Sequence, residues 1–413
     1  MSRPHVIVVG SGGRAYREYA FASLQGRYRV SAVLADEPTW QRPYLSSWRT
    51  TDLTDEYAVA DAILELTGDG GLAGVFTWDE IVLETTARAA EKLSMPHMSA
   101  RSAARCRDKF QTRSLLSAAG VPAVRHGLAR SADEAVQIGD ELGYPLVVKP
   151  RALAGSVGVV LAEDASAVRS AFELAHGAAY ATLPTGLGVL LEEFLDGPEV
   201  SVDSVVVDGE VTCVHVAQKR LGFAPYFEEV GHLITGWAHE PWADELRDHV
   251  VAAHHALGVE YGVTHAEVRL TPRGPRLVEL NGRLGGDFIP YVGRLATGID
   301  LVCAAADISL GRRPDVTALH GRAAEVRFVY PERDVIVGNV ETTQAATVSG
   351  IEAAKPLAEP GMTLRLPPRQ AIPRVAALIA AGDDAPACAR ALDAAVALVA
   401  AEVEPLEGGD GDR

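Results

Sequence analysis

Cysteine and positive charge are the two scarce ingredients of this chain. Its four cysteines, Cys106, Cys213, Cys303 and Cys388, are scattered over 413 residues without a Cys-x-x-Cys pair. Neither a zinc site nor a disulfide framework is therefore indicated, and a reduced intracellular setting is expected. Lysine and arginine number 38 against 55 acids, a net charge of −17. A surface that acidic lacks the electrostatic footprint for nucleic acid or anionic lipid, so neither is expected as a partner, and any anionic ligand must be held by a few locally placed cations. Long apolar runs are missing too. The run from Val6 to Val9 is too short for a signal-peptide core, and no stretch approaches the roughly 18 apolar residues of a membrane span. A soluble cytoplasmic protein is the expectation.

The composition is otherwise ordinary, with 48% hydrophobic and 23% charged residues, 39 Gly and 23 Pro, which excludes disordered, collagenous and coiled-coil chains. At about 150 residues per domain the length implies two to four packed units. The opening VIVVG reads as a buried parallel strand, SGGRA leads into a helix, RVSAVLAD is a second strand, and GVFTWDE a third strand after another helix. The first ~100 residues are thus an α/β sheet. Gly10-x-Gly12-x-x-Ala15 matches the dinucleotide fingerprint, with Asp36 where a ribose-binding acid would stand. Plain helix–strand packing accounts for the same glycines.

From Asp108 the pattern turns to α+β. DKFQTRSLLSAAG is a helix closed by Gly120, VPAVRHG a short strand, SADEAVQIGDELG a capped amphipathic helix and YPLVVKP a strand. VLLEEFLDGPEVSVDSVVVDGEVTCVHVAQKR alternates with period two about Asp208-Gly209 and predicts an antiparallel hairpin. QKRLGFAPYFEEVGH reads as a long loop. After Gly311 come short strands, then an Ala-rich helix around Ala385 to Ala401.

Three constellations carry chemistry. HAEVRL and RLVELN are strands about the turn TPRGP, centred on Arg273. A symmetric register sets Glu267 opposite Glu279, with side chains about 5 Å apart, and His265 opposite Asn281. Facing like charges destabilise a hairpin unless they are solvent-exposed, share a proton or bind a cation, and the buried-looking flanks favour the cation. Two carboxylates and an amide oxygen are hard ligands suited to magnesium held jointly with phosphates. The second constellation is Lys149 at the end of YPLVVKP, followed by a loop of small residues that includes Gly155 and Ser156. There, backbone N–H groups can approach phosphate oxygens. No Gly-Lys-Ser/Thr sequence makes this a P-loop, and a glycine-rich hairpin turn is the alternative. Third, EEFLDGPE brings Glu199 back beside Glu192, Glu193 and Leu195 after a Gly-Pro turn.

In this order the motifs resemble the ATP-grasp superfamily, from Lys109 to Asp300. HAEVR…VELNGRLGGDFIPY…GID is most similar to the L-amino acid (dipeptide) ligases and related carboxylate-amine ligases. The resemblance implies four units and a tail. These are a Rossmann-like domain (1–107), a mobile lid (108–191), a central antiparallel-sheet subdomain with the metal site (192–310), a C-terminal α+β module (311–403) and a disordered tail (404–413). It implies ATP held by Lys109, Lys149, Gly155, Ser156, Glu192, Glu193, Leu195, Glu199 and Lys219. It further implies two Mg2+ ions, replaceable by Mn2+, on Glu267, Glu279 and Asn281, with Arg283, Lys149 and His265 as the catalytic set. The implied reaction activates a carboxylate as an acyl phosphate that an amine attacks, yielding an amide, ADP and phosphate. Small-molecule substrates and a homodimer are expected. The alternatives are a nicotinamide dehydrogenase using the N-terminal glycines and a carboxylase-type member of the superfamily. Weaker candidates are His232 in the amine site and Glu80, read as an exposed helix-starting acid, the alternative being a partner for a substrate ammonium.

Overall fold

In the computed structural model, which describes residues 3–68 and 73–406, the apolar opening is buried along its whole length as β1 (His5–Val9). It is the second-from-edge strand of a parallel sheet with β2 (Arg29–Leu34), β3 (Ser47–Thr50) and β4 (Ala73–Phe76), in the order β3-β2-β1-β4. The β3 strand was not expected because it is short and half-exposed. Helices Arg14–Gln25, Glu56–Thr67 and Leu83–Lys92 connect or follow these strands, the second capped by Asp55, whose carboxylate accepts from the N–H groups of Tyr57 and Ala58. Gly74 has to be glycine, since a Cβ there would lie 2.2 Å from the Ser309 hydroxyl of a helix packed on the sheet.

The second sheet, in the order β5-β8-β6-β7, is antiparallel and joins β5 (His126–Ala129), β6 (Leu146–Pro150), β7 (Val160–Ala162) and β8 (Val189–Glu193). Helices Ala132–Leu142 and Ala165–Gly177 seal its apolar face. Next come β9 (Glu199–Val207), β10 (Glu210–Gly222), β11 (Glu228–Ile234), β12 (Gly262–Thr271), β13 (Gly274–Asn281) and β14 (Ala323–Val329). The chain ends with β15 (Val335–Glu341), β16 (Ile351–Pro356), β17 (Thr363–Leu364), β18 (Ala376–Gly382) and β19 (Ala400–Pro405). Eight of these strands form one sheet, β13-β12-β9-β10-β11-β14-β18-β16, while β17-β15-β19 is a small separate sheet. The Asp208-Gly209 turn joins β9 to β10 with both residues at positive φ, 53° and 76°, as a tight hairpin requires.

Three expectations need correction. The segment QKRLGFAPYFEEVGH is no long loop: β10 continues to Gly222 and β11 begins at Glu228, pairing Lys219 with His232. Its polar alternation faces a cleft rather than solvent, which hid the strand period. The division at 310/311 falls inside a continuous sheet, because β14 pairs with β11 and β18 with β14. The Ala-rich helix stops at Val396, and Ala400–Pro405 pairs with β15, including Val403 with Val337. Glu404 and Pro405 of the expected tail are therefore strand residues, while 407–413 lie outside the described residues. Edge pairing uses backbone groups and needs no apolar pattern in the pairing strand. Among the described residues no single helix is long and apolar enough to cross a membrane.

Candidate active site

The β12–β13 hairpin sets Glu267 opposite Glu279 and His265 opposite Asn281. It reaches that register by an unexpected route. Thr271 pairs with Gly274, so the turn centres between Pro272 and Arg273, and continued pairing would place Val278 opposite Glu267. A bulge at Val278 shifts the ladder by one residue and turns both carboxylates to one face. The Val278 carbonyl accepts from Arg113 at 2.5 Å.

Each acid has a lysine. Lys109 Nζ lies 2.9 Å from Glu279 and donates to the Leu153 carbonyl at 2.7 Å. Lys219 Nζ bridges Glu199 (2.6 Å), Glu229 (2.8 Å) and Glu267 (3.0 Å). Burial opposes the Lys219 charge, but the three carboxylates outweigh it and hold the pKa well above the ordinary lysine value. Burial likewise opposes charge on Glu267, while Lys219 and His265 bring its pKa well below the usual range. The donors Glu267, Glu279 and Asn281 are all oxygen, the set that Mg2+ takes.

Opposite the hairpin, Lys149 on β6 and Glu192 on β8 form a buried ion pair at 2.5 Å, and Arg113 binds the same carboxylate at 2.8 Å. The two cations overcome desolvation and bring the Glu192 pKa to about 2. That carboxylate is fully engaged by protein cations. The Glu193 side chain is held by Arg125 and Arg273, each at 3.0 Å, while its N–H donates to the Arg125 carbonyl and that of Phe194 to the Pro145 carbonyl. Leu195 then offers a backbone N–H with no backbone acceptor among the described residues. Glu199 accepts from Lys219 and from Arg269 at 2.8 Å. Gly155 and Ser156 both adopt positive φ, 67° and 55°. Every residue singled out from sequence for nucleotide or metal, Asn281 excepted, lines one cleft of about 760 Å³.

A second cavity of about 530 Å³ shares Gly155, Ser156 and Glu267 with the first and also receives His265 and Arg283. His265 is buried, with Nδ1 2.7 Å from Asp203 and Nε2 3.7 Å from Glu267. Burial would lower its pKa, but these two acids raise it to about 9. Arg283 is clamped to Glu80, which also holds Arg107 at 2.8 Å. Glu80 is thus a buried acid and not the exposed helix-starter expected, its pKa brought to about 2 by Arg283 and Arg107 against the cost of burial. Three residues of this cavity carried no sequence signal. Glu229 lies 3.2 Å from His232, Asp287 lies 3.4 Å from it, and Arg374 grips Asp287 with two 2.7 Å bonds. The order β11-β14-β18 brings Glu229 near Arg374, which precedes β18, and the loop after β13 adds Asp287. Asp287 and Phe288 sit at positive φ, 50° and 64°, strain of the kind that gathers at functional sites.

The helix that follows the N-terminal glycine turn touches the loop after β13. Trp78 Nε1 donates to the Ser11 carbonyl at 3.0 Å and Gln41 to the Ser11 hydroxyl at 3.0 Å. Arg17 reaches the Gly285 carbonyl at 3.2 Å, and a Cβ on Gly12 would lie 2.9 Å from Arg17 Cγ. The acids and lysines of the site stand in the cleft and not at this turn, and Asp36 is exposed.

Residues 142–291 match the family model described as ATP-grasp domain. Dapdiamide A synthase of Enterobacter agglomerans is 30% identical over 56% of this chain and 56% of its own length. Alanine–anticapsin ligase of Bacillus subtilis (strain 168) is 24% identical over 70% and 66%, and human carnosine synthase 1 is 28% identical over 76% and 40%. The matched regions thus span about two-fifths to two-thirds of these relatives. Among solved structures, the L-amino acid ligase of Bacillus licheniformis superposes with a TM-score of 0.81 at 20% identity, covering 97% of this chain and 98% of that one. The biotin carboxylase domain of Hydrogenobacter thermophilus 2-oxoglutarate carboxylase, solved with MgADP, superposes with a TM-score of 0.73 at 16% identity, covering 98% and 92%.

Proposed function

We propose, from the ATP-grasp domain match of residues 142–291, that the chain is an ATP- and Mg2+-dependent ligase joining an amino acid or similar carboxylate to an amine. The observation that carries this reading is the shared wall between the two cavities. A cleft bearing Lys109, Lys149 and the facing pair Glu267/Glu279 adjoins, across Gly155, Ser156 and Glu267, a second, polar cavity. A nucleotide in the first would present its γ-phosphate to a carboxylate in the second.

The side chains divide the work. Leu195 offers its N–H to the adenine edge, and Glu199 accepts from ribose hydroxyls. Lys109 and Lys149 stand as point charges for phosphate oxygens, with the Gly155–Ser156 backbone closing over them. Glu267, Glu279 and Asn281 would hold Mg2+, which when bound would supply charge to offset that building on the phosphoryl group. Carboxylate attack on the γ-phosphoryl gives an acyl phosphate and ADP. The amine then attacks the acyl carbon and phosphate leaves. Arg283 faces the developing oxyanion, and groups of this type contribute about 3 kcal/mol each to the barrier. His265, fixed by Asp203, orients Glu267. The acyl phosphate hydrolyses in water, so we assign the lid role to 108–191. A cytoplasmic homodimer with two metal ions per site, Mn2+ able to replace Mg2+, completes the proposal.

The test is incubation with ATP, Mg2+ and pools of amino acids, reading ADP, phosphate and new amide masses. ATP consumption that depends on two pool members and yields an amide is expected. No release above background with any pool would sink the ligase reading. Release that requires bicarbonate and gives no amide would favour the carboxylase-type chemistry instead.

A further inference from the structure

One residue at the rim of the second cavity holds a conformation its side chain disfavours. Ile372 sits at φ 59°, in the left-handed region. A β-branched residue there is a genuine outlier, and Pro373 next to it restricts Ile372 further toward extended backbone. Such strain persists only where the surroundings overdetermine it, and here they do. The Ile372 N–H donates to Glu228 at 3.2 Å, and that acid is fixed in turn by the Tyr330 hydroxyl at 2.7 Å. Two residues on, Arg374 grips Asp287 with two bonds and lies 3.6 Å over the Phe328 ring. Pinned at both sides, Ile372 cannot relax its backbone.

The side chain so placed lines the second cavity, and its Cδ1 would stand 3.4 Å from a Cβ at Gly155. It therefore caps the space beyond the acids. Apart from Ile372, the one large apolar side chain in that lining is Ile289; the rest is charged or small. We propose that Ile372 sets the size limit of the substrate held in this cavity, confining it to amino acids with small side chains; this rests on the ligase reading above. In an apolar contact, each added or missing methylene shifts discrimination by about 10- to 200-fold. A rim isoleucine removed outright should act at the upper end of that range on the largest substrates.

The experiment compares wild type, Ile372→Val, Ile372→Ala and Ile372→Gly. It measures kcat/KM for alanine, leucine and phenylalanine with a fixed partner amino acid, together with thermal unfolding midpoints. Glycine and alanine variants should raise the phenylalanine-to-alanine ratio of kcat/KM by about 100-fold, and the valine variant, one methylene short, by about tenfold. The unfolding midpoint of Ile372→Gly should equal or exceed that of Ile372→Ala, because both lose the same contacts and glycine alone is free of the positive-φ cost. An active wild type whose ratio is unmoved in all variants overturns the size filter and leaves the ligase standing. A glycine variant less stable than the alanine variant overturns the strain argument. A wild type inactive with every pool overturns both readings together.

Discussion

Lys109 and Glu279 meet at 2.9 Å across 170 residues of chain. The contact ties the first residue of helix Lys109–Ala118 to the β12–β13 hairpin, so the cation proposed for phosphate stands on an acid proposed for metal. Lysine and metal therefore compete for one carboxylate in the nucleotide-free protein.

Removing that competitor has opposite effects on binding and turnover. Lys109→Met should tighten Mn2+ binding to the nucleotide-free enzyme several-fold, since Glu279 loses its neutralising partner, and lower kcat about 100-fold or more. Glu279→Gln should weaken Mn2+ binding and lower kcat together. Calorimetric Mn2+ titration and phosphate release test both signs; weaker metal binding by Lys109→Met would contradict the competition.

Glu192 and Lys149 should separate structure from catalysis. Glu192→Ala leaves Arg113 and Lys149 buried without their counter-charge, a loss of about 3–5 kcal/mol for a broken buried pair. Lys149→Ala leaves Glu192 with Arg113 and should cost clearly less stability while abolishing most ATP turnover. Urea unfolding midpoints of the two variants give the comparison, and equal losses would refute it.

Stability should fall with acid in two windows. Burial lowers the pKa of His5, His215, His249 and His254 to about 4, from an ordinary value of 6.5. For His254 both ring nitrogens are engaged, with the Val250 carbonyl and the Thr264 hydroxyl, each at 2.7 Å. The unfolded chain binds these protons first, so stability present above pH 6.5 declines as pH falls toward 4. Glu80 and Glu192, both near 2 against an ordinary 4.5, extend the decline from 4.5 to 2. Unfolding midpoints measured from pH 7 to 4 should drop throughout; a flat profile between 6.5 and 4.5 would count against the buried neutral histidines.

Nucleotide should stabilise the fold only with metal. At a hundredfold excess over its dissociation constant, ATP with Mg2+ should add about 2.7 kcal/mol, seen as a raised thermal midpoint that a chelator reverses. NAD and NADP should leave the midpoint unmoved, because the acids and lysines of the site stand in the cleft and not at the glycine turn. A shift with NAD alone would reopen the dehydrogenase reading.

Local chemistry was legible along the chain wherever the signal spans a few neighbouring residues. The Asp208-Gly209 hairpin, the Gly120 helix end and the pairing of Glu267 with Glu279 follow from turn residues and a two-residue side-chain period. Even there, the pairing was inferred from a turn centred on Arg273, whereas the structure reaches it through a bulge at Val278. Strand periodicity failed in the β10–β11 hairpin, because a strand whose inward face is charged carries no apolar alternation.

Residue type and spacing, read together with the resemblance to a known family, marked which acids and lysines have the makings of a nucleotide and metal site, since ligand chemistry resides in individual side chains. Tertiary structure alone decided how those charges are engaged: Glu192 against two cations, Lys219 among three carboxylates, Arg374 on Asp287. Those pairings depend on which strands, helices and loops lie side by side across the eight-stranded sheet and the sheet β5-β8-β6-β7. Strand order is settled by burying whole faces, a property of the assembled layers that no short stretch of sequence carries.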